Sequence, residues 1–506
     1  MPDHPCVLIV GAGPTGLMLA GELRLQGVAV TVIEQLASPS AASRAMTVHA
    51  RTMEVFDQRG LLPRLGTPGQ EPVGHFGGIR LRLDRAASPF PGQWLIPQTR
   101  TEQVLEAWAA GLGADVRRGV RLVGLGPGGP GAGPAWATGV GGAGLVAEVA
   151  EVAEAVEADM VDASGASVRM VADWVVGCDG ENSTVRRLAG FELDGPEADR
   201  VLLRADITGI DLPERRFVRL SGGLVTSAKR PGGVTRIIVH EFGAKASLEP
   251  DFTEVTEAWF RVTGEDISSG EPVWVNAFGN AQRQATSYRR GRVLLAGDAA
   301  HQQMPIGGQA INIGLQDAVN LGWKLAAQVQ GWAPPGLLDS YHDERHPVGA
   351  AALTEIGAQA MILLGSRDLD EVRSVLGDLL DLPAVQEYLS GRITALDVRY
   401  PVSDLPHRLL GARLPPTDLV TPDGPTHTAE LLRSGRGLLL ELGPDQARQK
   451  AGKWRDRVDQ VVARAVPDLP AAVLIRPDGH VVWTDESPEP VEVALARWFG
   501  QPRETH

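Results

Sequence analysis

Short apolar runs and amphipathic segments alternate along the first part of the chain. The run CVLIV at residues 6–10 is followed by glycines and then by LMLAGELRLQG, whose apolar residues recur at helical spacing. Comparable apolar runs occupy residues 28–33 (VAVTVI), 174–178 (WVVGC) and 292–296 (RVLLA). Because strand-like runs alternate with helical segments, the pattern predicts an α/β fold around a parallel, Rossmann-like sheet.

The pattern changes between residues 188 and 290. Strand-like segments such as RIIVH and EPVWVNAF surround one helical segment, FTEVTEAWF. This predicts a β-rich domain inserted between two parts of the first fold, residues 1–187 and residues 291–402 with their long helices. Residues 403–506 again mix strands and helices, which predicts a small C-terminal α/β domain.

One stretch follows neither the strand pattern nor the helix pattern. Residues 124–144 (GLGPGGPGAGPAWATGVGGAG) are so rich in glycine and proline that they predict an irregular loop. The repeat LVAEVAEVAEAVEA that follows is compatible with a helix by propensity. It is equally compatible with a strand that continues into VEADMVDASGASVRMVADWVV.

Composition narrows the class of protein. A chain of 506 residues with 43% hydrophobic and 22% charged residues predicts a soluble protein of two or three domains. The apolar runs are too short to span a membrane, and MPDHPCVLIVGAG lacks the features of a secretory signal, so we expect a cytoplasmic protein. The net charge of −14 opposes non-specific binding to nucleic acid.

Cysteine usage argues against two kinds of site. Cys6 and Cys178 are the two cysteines, and neither belongs to a CxxC motif or a histidine cluster. The sequence therefore predicts neither a disulfide framework nor a metal site.

The loop after the first apolar run has the spacing of a dinucleotide-binding turn. Gly11 permits a tight turn, Gly13 lets the backbone approach a pyrophosphate, and Gly16 lets the helix pack on the strand. Pro14 and Thr15 complete the motif, and Pro14 is compatible with a helix start. Glu34 ends the next strand, where a carboxylate can accept the ribose hydroxyls of an adenosine.

Two aspartate-bearing turns follow later strands. Asp179-Gly180 comes after WVVGC, and Gly297-Asp298 comes after RVLLA. Ligands of open α/β sheets bind at the carboxyl ends of strands, where both turns are expected. A helix predicted to begin near Gly307 would direct unpaired N–H groups and its positive dipole end toward an anionic or electron-accepting group.

These segments together resemble a known family. GAGPTGL, CDGENSTVR and GDAAHQQMPIGGQAINIGLQDAVNLGWKL are similar to the three motifs of the class A flavoprotein monooxygenases, FAD-dependent aromatic hydroxylases of the para-hydroxybenzoate hydroxylase type. Four further segments resemble, more narrowly, the aromatic polyketide hydroxylases of angucycline-type pathways. They are ARTMEVFDQRG, GHFGG, EPVWVNAFGNAQRQATSYRRGRVLLAGDAAH and LDSYHDERHPVG. The likeness extends over nearly the whole chain.

The resemblance assigns roles near the flavin. It implies that Asp298 holds the ribityl chain and pyrophosphate of FAD, and that Pro305 borders the reaction site. It also implies that the segment Gly308, Gln309, Ala310, Ile311 and Asn312 lies against the pyrimidine edge of the flavin. The family usually has glycine where this chain has Ala310, a difference that costs little in a helix and more at positive φ.

Further cofactor contacts follow from the same resemblance. Arg44 corresponds to an arginine that reaches the pyrophosphate, Gln98 to a glutamine on the ribityl side, and Leu122 to a backbone contact with adenine. Asp179 belongs to the segment that serves both FAD and NAD(P)H in the family. The resemblance implies that NADPH or NADH binds transiently, as in the family, rather than in a separate nicotinamide domain.

The implied reaction is hydroxylation of a polycyclic, angucyclinone-type phenol with NAD(P)H and O₂, in antibiotic biosynthesis. Baeyer–Villiger oxygenation of a polyketide ketone, inactivation of an antibiotic and a non-enzymatic flavin redox sensor remain open. No catalytic acid or base can be assigned from spacing, and His75 and His301 are ordinary polar candidates. The C-terminal domain resembles the thioredoxin-like domain of these hydroxylases; without CxxC it is expected to be structural or to support a homodimer.

Overall fold

The computed structural model describes residues 7–40, 45–128, 155–230, 232–443 and 447–502. Its strands, in chain order, are β1 Val7–Val10, β2 Val30–Glu34, β3 Thr47–His49, β4 Gly69–Glu71, β5 Val73–Phe76, β6 Ile79–Arg82, β7 Gln93–Leu95, β8 Asp115–Arg118, β9 Arg121–Gly128, β10 Ala155–Val161, β11 Ser167–Ala172, β12 Trp174–Gly177, β13 Leu193–Asp194, β14 Val201–Thr208, β15 Arg215–Arg219, β16 Gly223–Arg230, β17 Val234–Glu241, β18 Glu271–Gly279, β19 Gln282–Ala285, β20 Arg289–Arg290, β21 Val293–Leu295, β22 His301–Gln303, β23 Asp418–Thr421, β24 Gly424–His427, β25 Gly437–Glu441, β26 Val458–Val462, β27 Ala472–Ile475 and β28 Val481–Thr484. Its α-helices are α1 Pro14–Leu25, α2 Ala50–Gln58, α3 Leu62–Leu65, α4 Gln98–Gly111, α5 Thr184–Leu188, α6 Phe252–Thr263, α7 Gln309–Val329, α8 Ser340–Leu364, α9 Asp370–Leu380, α10 Pro383–Ile393, α11 Thr428–Leu431, α12 Ala447–Ala451 and α13 Val491–Phe499.

A six-stranded sheet forms the centre of the first fold, in the order β20-β21-β12-β1-β2-β8. Its strands are parallel except for the short edge strand β20. The register places Val10 beside both Ile33 and Gly177, so the glycine loop, Glu34 and the Asp179 turn leave the sheet at one edge. The predicted Rossmann-like sheet is confirmed. Helix α1 forms the crossover between the parallel strands β1 and β2, as parallel neighbours require.

The inserted segment forms a five-stranded antiparallel sheet in the order β15-β16-β17-β14-β18. Side chains alternate between its two faces. One face carries Ala205 and Ile237 and packs on α6 through the fully buried Trp259. The opposite face carries Leu202 and Leu224 and packs on the segment before α7 and on α8.

The C-terminal region contains a four-stranded sheet in the order β26-β25-β27-β28, with α13 packed against it. Strand β25 supplies three fully buried leucines, which explains the apolar run LLL in the sequence. This α/β unit agrees with the predicted fold class. Its core is continuous with Trp323 of α7, so it packs directly on the part of the chain that contains this helix.

Part of the prediction for residues 124–144 is wrong. Residues 124–128 belong to β9, which pairs antiparallel with β10, while β10 and β11 form a hairpin. The glycines are tolerated because β10 lies close: a methyl group on Gly128 would lie 3.2 Å from the backbone of Ala155. The rest of that stretch and most of the repeat lie outside the described residues.

Helix α8 has the length and mean hydropathy of a membrane span, the single such helix in the described ranges. Length and composition are weak indications, because long core helices share them. Tyr341, Glu344 and Arg345 of this helix are buried against other parts of the protein.

Candidate flavin site

The three glycines of the first motif have different surroundings. Gly11 has φ +105°, and a methyl group there would lie 2.4 Å from the carbonyl oxygen of Cys178. A methyl group on Gly16 would lie 2.0 Å from the carbonyl oxygen of Gly11. A methyl group on Gly13, in contrast, would have no atom of the described residues within 4 Å. Gly11 and Gly16 are therefore required by the fold, whereas Gly13 leaves open space for a ligand.

This open space lies at the start of α1. Gly13 is the N-cap residue, and no side chain of the described residues caps the helix there. Pro14 occupies the first helical turn, where a missing N–H costs nothing. Unpaired N–H groups and a positive dipole end at this point suit the pyrophosphate of a dinucleotide.

Glu34 ties the loop to the end of β2. One carboxylate oxygen accepts the N–H of Ala12 at 2.9 Å, and the other accepts the N–H of Leu36 at 2.9 Å. Each oxygen of an ionised carboxylate has two acceptor positions, so the ribose hydroxyls can still be bound. Glu34 thus orients the loop. Arg44 lies outside the described residues.

Gln98 and Leu122 lie on neighbouring elements. Gln98 begins α4, accepts the N–H of Ala45 at 3.2 Å and donates to Glu102 at 2.8 Å. Burial raises the pKa of Glu102. Leu122 is buried on β9. Gln98 therefore fixes the chain immediately after the position of Arg44.

The third motif packs directly on the first. Gly297 has φ +64°, and a methyl group there would lie 2.7 Å from the Thr15 hydroxyl oxygen. A methyl group on Gly314, in α7, would lie 2.4 Å from the same oxygen. Thr15 therefore separates two glycines that are distant in sequence. Asp298 follows in a single 3-10 turn and is exposed, which leaves it accessible to a cofactor.

Asp179, in the second motif, shapes its own turn. Its carboxylate accepts the Ser183 hydroxyl at 2.5 Å and the N–H groups of Thr184 and Val185 at 2.6 and 3.1 Å. Burial raises the pKa of this carboxyl. Asp179 thus holds the start of α5, and any part in cofactor binding is played through the shape of this turn.

Arg186 is a site residue that motif reading did not identify individually. Its guanidinium donates to the carbonyl of Ala299 at 2.9 Å and to the carbonyl of Glu181 at 2.7 Å. Burial lowers its pKa. It therefore connects the second motif to the third. The sequence did contain an indication of this role, because Arg186 lies in a capped helical turn shortly after the Asp-Gly pair.

The loop before α7 ends in two left-handed glycines. Gly307 and Gly308 have φ +66° and +69°, and α7 begins at Gln309. No side chain caps this helix start. Ala310 lies within the helix and is not among the described non-glycine residues with positive φ. Its methyl group therefore adds no backbone strain.

Asn312 and Gln309 have contrasting environments. Asn312 accepts the N–H of His49 at 2.9 Å and donates to the carbonyl of Gly308 at 2.7 Å, so its amide fixes the turn. The amide of Gln309 is buried, and neither of its polar atoms has a hydrogen-bond partner among the described residues. An orphaned amide beside an uncapped helix start fits a heterocycle with donor and acceptor groups, such as the pyrimidine edge of a flavin. Ile311 is partly buried against the main core.

Pro305 is exposed between buried Met304 and Ile306. These two neighbours pack beneath the five-stranded sheet with Leu202 and Leu224. The proline is thereby presented from a segment that is anchored on both sides.

The two histidine candidates differ. His301 is buried, and its Nε2 lies 2.9 Å from the carboxylate of Asp317, so it is engaged in a structural contact. The ring of His75 lies 4.4 Å from the ring of Phe217, which belongs to strand β15 of the five-stranded sheet. Burial lowers the pKa of His75 to about 4, which keeps it neutral at neutral pH. Neither arrangement identifies a catalytic acid or base.

In the part of the chain that the structure describes, no group of three or more His, Cys, Asp or Glu side chains could hold a metal ion. The open helix starts at Gly13 and Gly308, the exposed Asp298 and the orphaned Gln309 amide instead fit an elongated dinucleotide with a heterocyclic end. FAD bound there would supply redox chemistry with NAD(P)H and O₂.

Comparisons with known proteins agree with this geometry. Residues 5–355 match the family described as FAD binding domain, and residues 407–502 match the aromatic-ring hydroxylase C-terminal family. The chain is 37% identical to the 12-dehydrotetracycline 5-monooxygenase/anhydrotetracycline 6-monooxygenase of Streptomyces rimosus, over 98% of this chain and 99% of the relative. It is 40% identical to the rifampicin monooxygenase of Streptomyces venezuelae, over 98% of each chain.

Among solved structures, CabE, an aromatic hydroxylase from angucycline biosynthesis, superposes with a TM-score of 0.89. The two sequences are 44% identical, and the match covers 99% of this chain and 100% of CabE. The superposition therefore includes both the part that matches the FAD-binding family and the C-terminal domain. The chain therefore belongs to the FAD-dependent aromatic-ring hydroxylases, a family of flavoprotein monooxygenases that use NAD(P)H.

Proposed function

We propose that this protein uses FAD, NAD(P)H and O₂ to hydroxylate a polycyclic aromatic polyketide of angucyclinone type in antibiotic biosynthesis. The observation that carries the proposal is the convergence of three separated motifs, since Gly11 packs against Cys178, Gly297 packs against Thr15 and Arg186 donates to Ala299. Within these motifs Gly13 leaves open space among the described residues, Asp298 is exposed and the Gln309 amide is buried without a partner. The full-length likeness to CabE supports the substrate class.

Each part of the proposed FAD has its own binding residues. Gly13 and the start of α1 face the pyrophosphate, while Glu34 lies toward the ribose. Asp298 holds the ribityl side, with Gln98, Arg44 and Leu122 assigned to the same cofactor by resemblance. Gln309, Ala310 and the Gly308 turn lie toward the pyrimidine edge, where N–H groups stabilise negative charge on a reduced flavin.

The substrate side has the composition that a flat apolar molecule requires. Pro305 projects from a segment whose neighbours contact the five-stranded sheet, and partly buried Phe217, Phe242 and Phe278 border the same apolar cluster. Aromatic side chains stack on planar rings and exclude water from them. A phenolic ring held there is electron-rich, so position and exclusion of water are the main contributions that this chain makes to the reaction.

We also propose the boundaries of the units. Residues 1–187 and 291–402 form the FAD-binding part, residues 188–290 the substrate domain and residues 403–506 the thioredoxin-like domain, which supports the fold and a homodimer rather than thiol chemistry. Because the reductant is a soluble dinucleotide, we place the reaction in the cytoplasm. Neither nucleic acid nor a membrane is proposed as a partner.

The cofactor assignment is tested by purifying the protein and identifying the released flavin. Non-covalent FAD should be recovered, and Asp298→Ala should weaken FAD binding about tenfold or more, because an acceptor for the ribityl hydroxyls is lost. A colourless protein that cannot be reconstituted with FAD would refute the proposal.

The substrate assignment is tested by NAD(P)H oxidation and by mass spectrometry under ¹⁸O₂, with polycyclic and single-ring phenols side by side. We expect stimulation by angucyclinone-type phenols and a product that carries one ¹⁸O atom as a hydroxyl. Preference for single-ring phenols would overturn the polyketide assignment. An oxygen inserted beside a ring ketone would move the enzyme to Baeyer–Villiger oxygenation. Failure to oxidise NAD(P)H with any of the substrates would favour a flavin-binding redox sensor.

A further inference from the structure

Asp317 is a fully buried carboxylate behind the proposed flavin-binding turn. One oxygen accepts the N–H of Gly297 at 3.1 Å and lies 2.9 Å from Nε2 of His301. The other oxygen accepts Nε of Arg345 at 2.7 Å. A single side chain thereby holds both ends of the segment 297–301, with Asp298 between them.

Arg345 keeps this carboxylate ionised. Burial acts to raise the pKa of Asp317, but the charge of Arg345 and the contact with His301 outweigh it and lower the pKa. Arg345 also donates to the carbonyl of Ile313 at 3.2 Å and to the hydroxyl of Tyr400 at 3.1 Å. A buried ion pair of this kind is costly to break, because removing one partner leaves the other charge unpaired.

Tyr400 connects Arg345 to the C-terminal domain, because its hydroxyl accepts from Arg345 while its ring contacts that domain. Its ring lies 4.2 Å from the ring of His480 and 5.1 Å from the guanidinium of Arg476. Arg476 forms buried ion pairs with Asp478 and, at 2.6 Å, with Glu344 of α8. Glu344 directly precedes Arg345 in the chain. Of these two neighbouring side chains, Glu344 pairs with the C-terminal domain and Arg345 pairs with Asp317.

Lys324 closes the ring of contacts. It donates to Glu344 at 2.7 Å and to Asn320 at 2.9 Å, and it lies on α7, the helix that also carries Asp317. All these charged side chains are buried. We define them, Asp317, Lys324, Glu344, Arg345, Arg476 and Asp478, as the buried charge network.

We propose that Asp317 is a positioning residue for the Gly297-Asp298 turn, and that the C-terminal domain acts on flavin binding through Tyr400 and the buried charge network. This inference rests on the proposed FAD site. It assigns the C-terminal domain a part in holding the cofactor. In this proposal the network holds the Gly297-Asp298 turn in one position, and no switch between two conformations is needed.

The test uses the full-length protein, reconstituted with FAD after removal of its flavin. Asp317→Asn keeps the shape of the side chain but removes the charge that pairs with Arg345. We expect the Kd for FAD to rise about tenfold or more, with a changed visible spectrum of the bound flavin. His301→Gln, which removes one bond to Asp317, should produce a smaller rise in the same direction.

A matched control is Glu54→Gln. Glu54 is equally buried and pairs with Arg51 and with Arg413 of the C-terminal region, and its contacts within the described residues do not include the Gly297-Asp298 turn. Both Asp317→Asn and Glu54→Gln should lower the melting temperature. Only Asp317→Asn should also raise the Kd for FAD, a readout that a merely structural role would not move.

Tyr400→Phe tests the link to the C-terminal domain and is mild enough to fold. We expect the Kd for FAD to rise about threefold alone, and the same change to have no further effect in the Asp317→Asn background. Tyr388→Phe, at an exposed tyrosine, should leave the Kd unchanged. Unchanged FAD binding in folded His301→Gln or Asp317→Asn would overturn the role of Asp317, and additive effects of Tyr400→Phe would overturn the coupling. Failure of the wild-type protein to bind FAD would instead refute the proposed function.

Discussion

The guanidinium of Arg186 donates a hydrogen bond to the main-chain carbonyl of Ala299 over 2.9 Å. The two residues are 113 positions apart, and their contact joins the Asp-Gly motif to the Gly-Asp motif. A buried carbonyl that accepts a charged donor is held in one orientation. The exposed Asp298 precedes Ala299, so its position depends on this contact.

We expect Arg186→Met to raise the Kd for FAD about tenfold, because the Ala299 carbonyl loses its charged donor. Fluorescence titration of the flavin-free protein measures this. Arg187→Met is the matched control, since Arg187 contacts Thr184 at the surface. Equal Kd values for the two variants would contradict the proposed connection between the motifs.

Gly13→Ala and Gly16→Ala should separate cofactor binding from folding. A methyl group at Gly13 contacts no atom in the described part of the chain, and the φ of −78° suits any residue. The variant should therefore fold but bind FAD at least about tenfold more weakly. A methyl group at Gly16 would collide with the Gly11 carbonyl, so this variant should lose stability even without FAD. Melting curves of flavin-free protein and FAD titrations distinguish the two effects. Normal FAD affinity in Gly13→Ala would place the pyrophosphate elsewhere.

Acid should destabilise the protein through buried histidines. Burial lowers the pKa of His49 and of His480 to about 4, below the value near 6.5 expected in the unfolded chain. The unfolded state therefore binds more protons between these values, and stability falls as pH decreases from about 6.5 toward 4. Each histidine should cost roughly 2 kcal/mol at pH 5.

Urea unfolding as a function of pH tests this expectation. His480→Asn should reduce the slope of the free energy of unfolding against pH by the contribution of about one proton. His407→Asn keeps both buried histidines and should retain the full slope. A stability that is constant from pH 7 to pH 5 would show that these side chains become protonated without cost in the folded state.

The buried cysteine should be chemically inert. Cys178 is buried, and burial raises its pKa well above the ordinary value, so the thiolate is scarce. Cys6 lies outside the described residues. We expect the double replacement of Cys6 and Cys178 by Ser to leave turnover largely intact, as measured by substrate-stimulated NAD(P)H oxidation. Loss of activity with normal FAD content in either single variant would contradict the absence of thiol chemistry.

Local sequence determined those features whose causes are local. The apolar run before Gly11 and the helical periodicity after Pro14 predicted β1 and α1, because strand and helix periods are properties of neighbouring residues. Likewise, the Gly307-Gly308 pair marked the start of α7, since both residues adopt positive φ. The proposed contacts of Arg44, Gln98 and Leu122 came from resemblance and remain predictions.

Tertiary structure decided which polar groups are buried together and which glycine-rich residues join a sheet. Residues 124–128 form a strand because β10 supplies hydrogen-bond partners that their own composition does not reveal. Asp317 and Arg345 read as ordinary helical charges; their side chains meet only when α7 and α8 pack beside each other, and Arg476 reaches Glu344 across 132 positions. Burying a charge is favourable only with a partner in place, and such partners come from elements that the chain brings together after folding.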